Sequence, residues 1–314
     1  MTSISLSQIN YVLALEKTGS FSQAAEQCFV TQSTLSTMVK KLEDQLDLQL
    51  FDRRSKPIKL TQEGKVLIDQ FKVIYNEFDN LNELVQETKQ EFYGTLKIGI
   101  IPTLAPFLLP LFLTPMVSKY PTINFSVDEI TTNEIVNKIK LRELDIGILS
   151  LPLDDRELIQ KSLFFEEFLI YDANGPADAK KKYKIEDINV NRLWLLEESH
   201  CLTSQIEKIC HLRKKRKASH NLMFNSGSIL SLLELVKINN GITLIPRLAT
   251  QRKNLLNKRF IYQMGNPIPV REIGLITHPN FAKKRFMKML ENEITEGVKP
   301  ILKNLKKVKV IKPY

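Results

Sequence analysis

Residues 24–54 read AAEQCFVTQSTLSTMVKKLEDQLDLQLFDRR, and the order of small, polar and apolar side chains in them decides the N-terminal architecture. Thr31 is a good N-cap, and behind it Leu35, Val39, Leu42 and Leu46 recur at helical spacing, which predicts an amphipathic helix. Just upstream, Ser20 with Gln23 forms a capping box for a helix whose small face is Ala24, Ala25 and Cys28. Phe29-Val30 then turns the chain. A preceding helix over LSQINYVLALEK, 6–17, aligns Leu6, Ile9, Val12 and Leu13, and Thr18-Gly19 stops it. Two short helices joined by a tight turn read as a helix-turn-helix.

Opposite its apolar stripe, the third helix carries Gln32, Ser33, Ser36, Thr37 and Lys40, with Thr34 at the edge. Short donors and acceptors let a helix sit deep in a major groove and reach base edges and phosphates. An ordinary solvated face is the alternative reading. Downstream, Phe51-Asp52-Arg53-Arg54-Ser55-Lys56-Pro57 is a basic turn and Ile58-Lys59-Leu60 a short strand, together a wing. Its Arg53, Arg54 and Lys56 could grip phosphates beside the groove. From Leu67 on, Phe71, Ile74, Phe78, Leu81 and Val85 follow at alternating four- and three-residue steps, a heptad seam about 42 Å long. Such a seam pairs two long helices, unless the helix packs on its own domain.

The quoted stretch, followed by LTQEG at 60–64, resembles the winged helix-turn-helix of the LysR-type transcriptional regulators. It departs where many members have proline and this chain has Ser33, at a helix start where proline is optional. The resemblance implies double-stranded DNA as a partner and dimerisation through the linker helix.

Composition agrees with a globular chain. The 314 residues are 43% hydrophobic and 25% charged, which argues against disorder and fibrous repeats. No apolar run is long enough for a membrane span, and MTSISLSQIN lacks the pattern of a signal peptide, so the expected compartment is the cytoplasm. The net charge of +10 is a poor guide to DNA binding. Residues 1–90 hold 10 basic against 12 acidic side chains, whereas KPILKNLKKVKVIKPY at 299–314 carries six lysines and no acid. That tail reads as a solvated extension or a polyanion contact.

After Gly94, short apolar runs alternate with helical segments: TLKIGII, then 106–120, NFSVDEI, then 133–142, LDIGIL. FEEFLIYDA, LWLLEE, LMFN, GITLIP and REIGLITH continue the pattern, which predicts an α/β domain with a mainly parallel sheet. Gly94-Thr95-Leu96-Lys97-Ile98-Gly99 resembles the opening strand of the LysR effector domain, implying a periplasmic-binding-protein-like fold of two subdomains. The expected organisation is a winged helix-turn-helix over 1–65, a linker helix over 66–90, a regulatory domain over 93–300 and a basic tail over 301–314. Within the regulatory domain the subdomains would span about 93–163 with 269–300, and 164–268, crossing near Phe164 and Pro269.

Cys201 and Cys210 lie nine positions apart, wrong for a CxxC metal or redox pair. If the segment between them is helical it rises about 13 Å, whereas a disulfide needs Cα atoms within about 7 Å. The thiols could then join only by local refolding, which is what a switch requires. Inert packing is the plainer reading.

His200-Cys201 ahead of Cys210, with Ile101-Pro102-Thr103 early and Arg271-Glu272-Ile273-Gly274 late, resembles the hydrogen-peroxide-sensing LysR-type regulators. The resemblance implies that peroxide oxidises Cys201 and that Cys210 resolves the sulfenic acid into a disulfide. It also implies a peroxide pocket of Thr103, Thr132, His200 and Arg271. Thiolate is the reacting form, so the Arg271 cation would help, the threonine hydroxyls would hold H–O–O–H, and His200 would assist the leaving hydroxide. Each has a plain alternative: Thr103 caps a helix, His200 is a satisfied polar residue, Arg271 pairs with Glu272. His211-Leu212-Arg213-Lys214-Lys215-Arg216-Lys217 departs from the pattern, being either a cationic aid to Cys210 or a solvated loop. Cys28 reads as core.

No metal site and no cofactor is expected, and the chain reads as a regulator rather than an enzyme. Expected partners are double-stranded DNA, hydrogen peroxide, further copies of the chain as homodimer and homotetramer, RNA polymerase, and no membrane. Two rivals stand: a LysR-type regulator answering a small organic effector, with structural cysteines, and a thiol peroxidase, which needs neither wing nor seam. A transport-type binding protein would need an export signal.

Overall fold

A computed structural model of the protein describes residues 4–87, 94–175, 183, 188–196, 201–210, 228–252, 255–302, 305 and 307–313. The chain divides into two compact units, residues 1–90 with 140–143 and residues 91–139 with 144–314.

In the first unit α1 (Leu6–Thr18), α2 (Phe21–Gln27) and α3 (Gln32–Leu46) bury Ile9, Val12, Leu15, Ala24, Ala25, Leu35, Val39 and Leu42 together. Burial of each leucine or valine contributes roughly 1.5–3 kcal/mol, so this apolar stripe holds the helices together. Leu15 is buried where Leu13 was expected, and Leu13 packs only partly against the core. The capping box also sits elsewhere: Ser5 Oγ accepts from the Gln8 amide at 3.3 Å and the Ser5 amide donates to Gln8 Oε1 at 2.9 Å, starting α1. Ser20 does precede α2, but its side chain makes no cap bond. Its backbone amide already donates to Thr18 Oγ1 at 3.4 Å, so the donor that Gln23 would need is taken. Gly19 closes α1 in the left-handed region at φ 61°, a conformation that suits glycine.

The wing is an antiparallel pair, β1 (Phe51–Asp52) with β2 (Lys59–Leu60). Behind it runs α4 (Gln62–Glu87). Gly64 of LTQEG is needed there, since a Cβ would lie 2.2 Å from the Leu50 carbonyl oxygen. The heptad seam splits along α4. Phe71 is buried in the first unit's core and Leu67 packs against it, whereas Ile74, Phe78, Leu81 and Val85 are exposed.

The second unit is a two-subdomain α/β regulatory domain. Its strands are β3 (Gly94–Ile100), β4 (Ile123–Glu129), β5 (Ile146–Leu151), β6 (Ile159–Asp172), β7 (Ile242–Pro246), β8 (Ile261–Gln263), β9 (Ile268–Thr277) and β10 (Val308–Val310). The sheet order is β4-β3-β5-β9-β6-β7, with β10 against β9 and β8 against β6. The sheet is mixed, not mainly parallel as the alternation predicts: β4, β3 and β5 run parallel, but β9 and β6 are antiparallel to their strand neighbours β5, β7 and β8 and to each other. The parallel strands are joined by α5 (Ala105–Lys119) and α6 (Thr132–Lys140), the crossover helices that parallel pairing demands. β6 pairs with β9 as far as Glu167 and with β7 from Phe168, so one continuous strand serves both halves. Of the other expected strands, Leu193 forms only a single bridge to Ile242, and LMFN at 222–225 lies outside the described residues. α7 (Cys201–Cys210), α8 (Ile229–Ile238) and α9 (Lys284–Val298) complete the unit.

Candidate functional site

The reading head is built from local contacts. Thr31 accepts from the Thr34 amide at 3.2 Å and its hydroxyl meets those of Ser33 and Thr34 at 2.9 and 2.8 Å, fixing the start of α3. Gln32, Ser33, Thr34, Thr37 and Lys40 are exposed and Ser36 half-buried. The wing cations differ from one another. Arg53 donates to Glu43 at 2.7 Å and lies over the Phe21 ring, while Glu43 also accepts from the amides of Leu50 and Phe51. Arg53 thus holds the wing to α3 while its side chain stays 41% exposed. The Arg54 side chain is 97% exposed, touching Asp52 only at 3.7 Å, and Lys56 is exposed.

α7 begins at Cys201 and ends at Cys210, and both thiols are buried and not joined. Its inner face, Leu202, Thr203, Gln205, Ile206 and Ile209, is buried as well. Thr132 Oγ1 lies 2.9 Å from Cys201 Sγ, where either atom can donate. Thr132 is available for this because its neighbour Thr131 caps α6: the Thr131 hydroxyl and amide both donate to Glu134, holding that carboxyl below its ordinary range. At the far end burial pushes the Cys210 thiol up to about 12. The basic run at 211–217, either a cationic aid to Cys210 or a solvated loop, lies outside the described residues, as does His200. Cys28 closes α2 beside the first unit's core, and burial raises its thiol too.

Thr103 and Thr132 stand at the carboxyl ends of the parallel strands β3 and β4, tied by the bond from the Ile130 amide to the Ile100 carbonyl at 3.1 Å. Ligands of open α/β sheets bind at such strand ends. Thr103 is buried and caps no helix; its hydroxyl and carbonyl accept from Arg271 at 3.3 and 3.4 Å. Arg271, 1% exposed, pairs with Glu166 and not with Glu272. Glu166 sits directly across the β6–β9 ladder, accepts from Arg271 Nε at 2.9 Å, and takes the Leu248 amide at 2.6 Å on its other oxygen. Arg271 is therefore half of a buried ion pair. The structure brings Thr132 to Cys201 and Thr103 to Arg271 as two hydrogen-bonded groups.

Glu166 is the residue that sequence reading missed, since its partner lies 105 positions away. A signal was present: two adjacent acids in the apolar run FEEFLIYDA require buried partners, and Glu167 finds Arg247 as Glu166 finds Arg271. Among the described residues no group of His, Cys, Asp and Glu is arranged to hold a metal ion, and no helix is long and apolar enough to cross a membrane.

Residues 6–65 match the model of the bacterial regulatory helix-turn-helix protein, lysR family, and residues 89–294 match the LysR substrate binding domain. The DNA-binding transcriptional dual regulator OxyR of Escherichia coli (strain K12) is 30% identical over 88% of this chain and 90% of its own length. The HTH-type transcriptional regulator EstR of Acinetobacter baylyi is also 30% identical, over 87% of this chain and 90% of its own. Among solved structures, full-length OxyR from Pseudomonas aeruginosa superposes with a TM-score of 0.75 at 27% identity, covering 93% of this chain and 98% of that one. Equal identity to OxyR and EstR means that the nature of the signal must be argued from the cysteine helix.

Proposed function

The chain belongs to the LysR family of bacterial DNA-binding transcriptional regulators, and on that premise we propose that it senses hydrogen peroxide through Cys201 and Cys210. One observation carries the reading: the two thiols occupy opposite ends of one buried helix, with the Thr132 hydroxyl on the first. The Cys201 sulfur attacks one peroxide oxygen, the S–O bond forms as O–O breaks, and water leaves with the sulfenic acid behind. Cys210 then attacks that sulfur, S–S forms as S–O breaks, and a second water leaves. Two thiols and one peroxide thus become one disulfide and two waters.

Thr132 and Thr103 supply hydroxyls for the peroxide oxygens, and a negative sulfur at the first residue of α7 lies at the favourable end of the helix dipole. The Glu166–Arg271 pair holds Thr103 in place and offsets much of the arginine's charge, so Arg271 acts here chiefly as a donor. Because the helix spans about 13 Å between the sulfur-bearing residues, the second step refolds α7. That refolding is the signal passed to the assembly, in which the exposed α4 residues Ile74, Phe78, Leu81 and Val85 pair two copies and homotetramers form from dimers. The exposed face of α3 enters the major groove, and Arg54 and Lys56 hold the flanking phosphates for recruitment of RNA polymerase.

The rival of a small organic effector draws on the resting state of Cys210, whose thiol is pushed up to about 12 by burial. Thiol titration separates the two. Peroxide at low micromolar concentration should remove two of the three thiols, and an unchanged count of three would return the chain to the organic-effector class.

A further inference from the structure

The lysine-rich tail has no place in the proposed sensing chemistry, and the matching regulatory-domain model ends at residue 294. The structure nonetheless gives its last residues a specific seat. β10 adds a parallel strand to the start of β9, with Val308 beside Ile268 and Val310 beside Val270. The ladder is continued by bonds from the Ile268 amide to the Lys307 carbonyl at 3.0 Å and from the Ile311 amide to the Val270 carbonyl at 2.8 Å. Ile311 is buried in the regulatory core. What lies over it is α7: Gln205 Nε2 donates to the Ile311 carbonyl at 2.7 Å, and Lys208 Nζ to the Lys312 carbonyl at 3.2 Å.

Gln205 is fully buried in the middle of α7, and the same amide nitrogen reaches Ser150 Oγ at 3.1 Å. Its Oε1 has no partner among the described residues. A buried amide left half-satisfied is a poor way to fill a core, where an apolar side chain of that size would be more stabilising. Its position is explained by the tail it holds.

We propose that residues 308–313 are a redox-coupled latch: with Gln205 as the positioning residue, they hold α7 in the helical dithiol form and are released when the disulfide forms. The inference rests on the Cys201–Cys210 reading above. A disulfide cannot span the ends of an intact α7, so oxidation unwinds the turns that carry Gln205 and Lys208 and breaks both bonds to the tail. Coupling is reciprocal: whatever oxidation does to tail docking, docking does to the oxidation equilibrium. A docked tail favours the dithiol and makes the pair harder to oxidise.

Three readouts test this. In the unmodified protein, trypsin should cut at Lys307 and Lys309 at least tenfold faster after peroxide treatment than before; equal rates would overturn the latch. In a chain ending at Lys307, equilibration with reduced and oxidised glutathione should favour the disulfide about tenfold more than in the full chain, a midpoint about 30 mV more negative. Here the protein disulfide and two glutathione thiols exchange for the dithiol and glutathione disulfide. An unmoved midpoint would overturn the proposal. Should the shortened chain fail to fold, Ile311→Asp keeps the tail but expels it, because docking would bury an unpaired carboxylate, and should shift the midpoint the same way. Backbone amide exchange in α7 gives the third readout, independent of peroxide: it should quicken in either variant. Quickened exchange in a chain that never forms the Cys201–Cys210 bond would sink the sensing reading and leave the docking contact standing; unchanged exchange would sink the latch alone.

Discussion

α3 and α7 both carry polar side chains that function depends on, yet they are held in opposite ways. α3 is fixed by its neighbours in sequence: Thr31 caps it, and Ser33 and Thr34 bond back to that cap within three residues. Its polar face looks outward. α7 is enclosed, and the bonds that Cys201 and Gln205 make go to chain far away, Thr132 for Cys201, Ser150 and Ile311 for the Gln205 amide nitrogen. A helix held locally keeps its shape whatever happens elsewhere, which suits a reader of DNA. One held by distant groups can be released by a change at any of them, which suits a switch.

If that contrast is right, the largest effects belong to α7. Cys201→Ser should abolish the peroxide response, because the first oxidation has no other sulfur in the pocket. Cys210→Ser should stall at the sulfenic acid, which a dimedone-type probe would trap. A disulfide-free variant that still responds fully would break the assignment of roles.

Next comes the buried Glu166–Arg271 ion pair. Arg271→Ala leaves Glu166 buried without its cation, and should cost about 3–5 kcal/mol in chemical denaturation of the regulatory domain. Glu166→Gln with Arg271→Met should recover most of that loss. Equal stability of Arg271→Ala and wild type would mean that the pair is not closed in solution.

The pH dependence of the resolving step sharpens the contrast further. Burial raises the Cys210 thiol from 9.0 to about 12, so as pH climbs an opened α7 ionises before the closed one does. Helical α7 therefore loses stability between pH 9 and about 12 and gains none below. Disulfide closure through an opened helix should accelerate about tenfold per pH unit from neutrality and level off near the ordinary thiol value. A rise continuing to about pH 12 would show Cys210 attacking from its buried site.

The smallest effects belong to the wing. Arg54→Ala should weaken DNA binding evenly across sequences and lower the salt slope by about one. Arg53→Ala should leave the slope nearly unchanged and cost about 1 kcal/mol of stability, since its charge is spent on Glu43. Reversed outcomes for the two arginines would reverse their assignments.

The same contrast explains what could be read from sequence. The helix-turn-helix, Thr31 as cap and the stripe of Leu35, Val39 and Leu42 are local patterns, and they appear where periodicity places them. The misplaced capping box was also a local matter, decided by Thr18 taking the Ser20 amide. Glu166 opposite Arg271, the antiparallel runs of β6 and β9, and the seat of Ile311 against α7 depend on pairings across many tens of residues, to which periodicity is blind. Phe71 shows the middle case: its heptad position was plain, but the first unit's core claims it before any second copy can.

The central claim is that peroxide joins the two ends of α7, and peptide mapping of the alkylated protein tests it most directly. After low-micromolar peroxide, mass spectrometry should find a single intramolecular link between Cys201 and Cys210, with Cys28 alkylated. Sulfinic or sulfonic acid at Cys201 with no such link would contradict it.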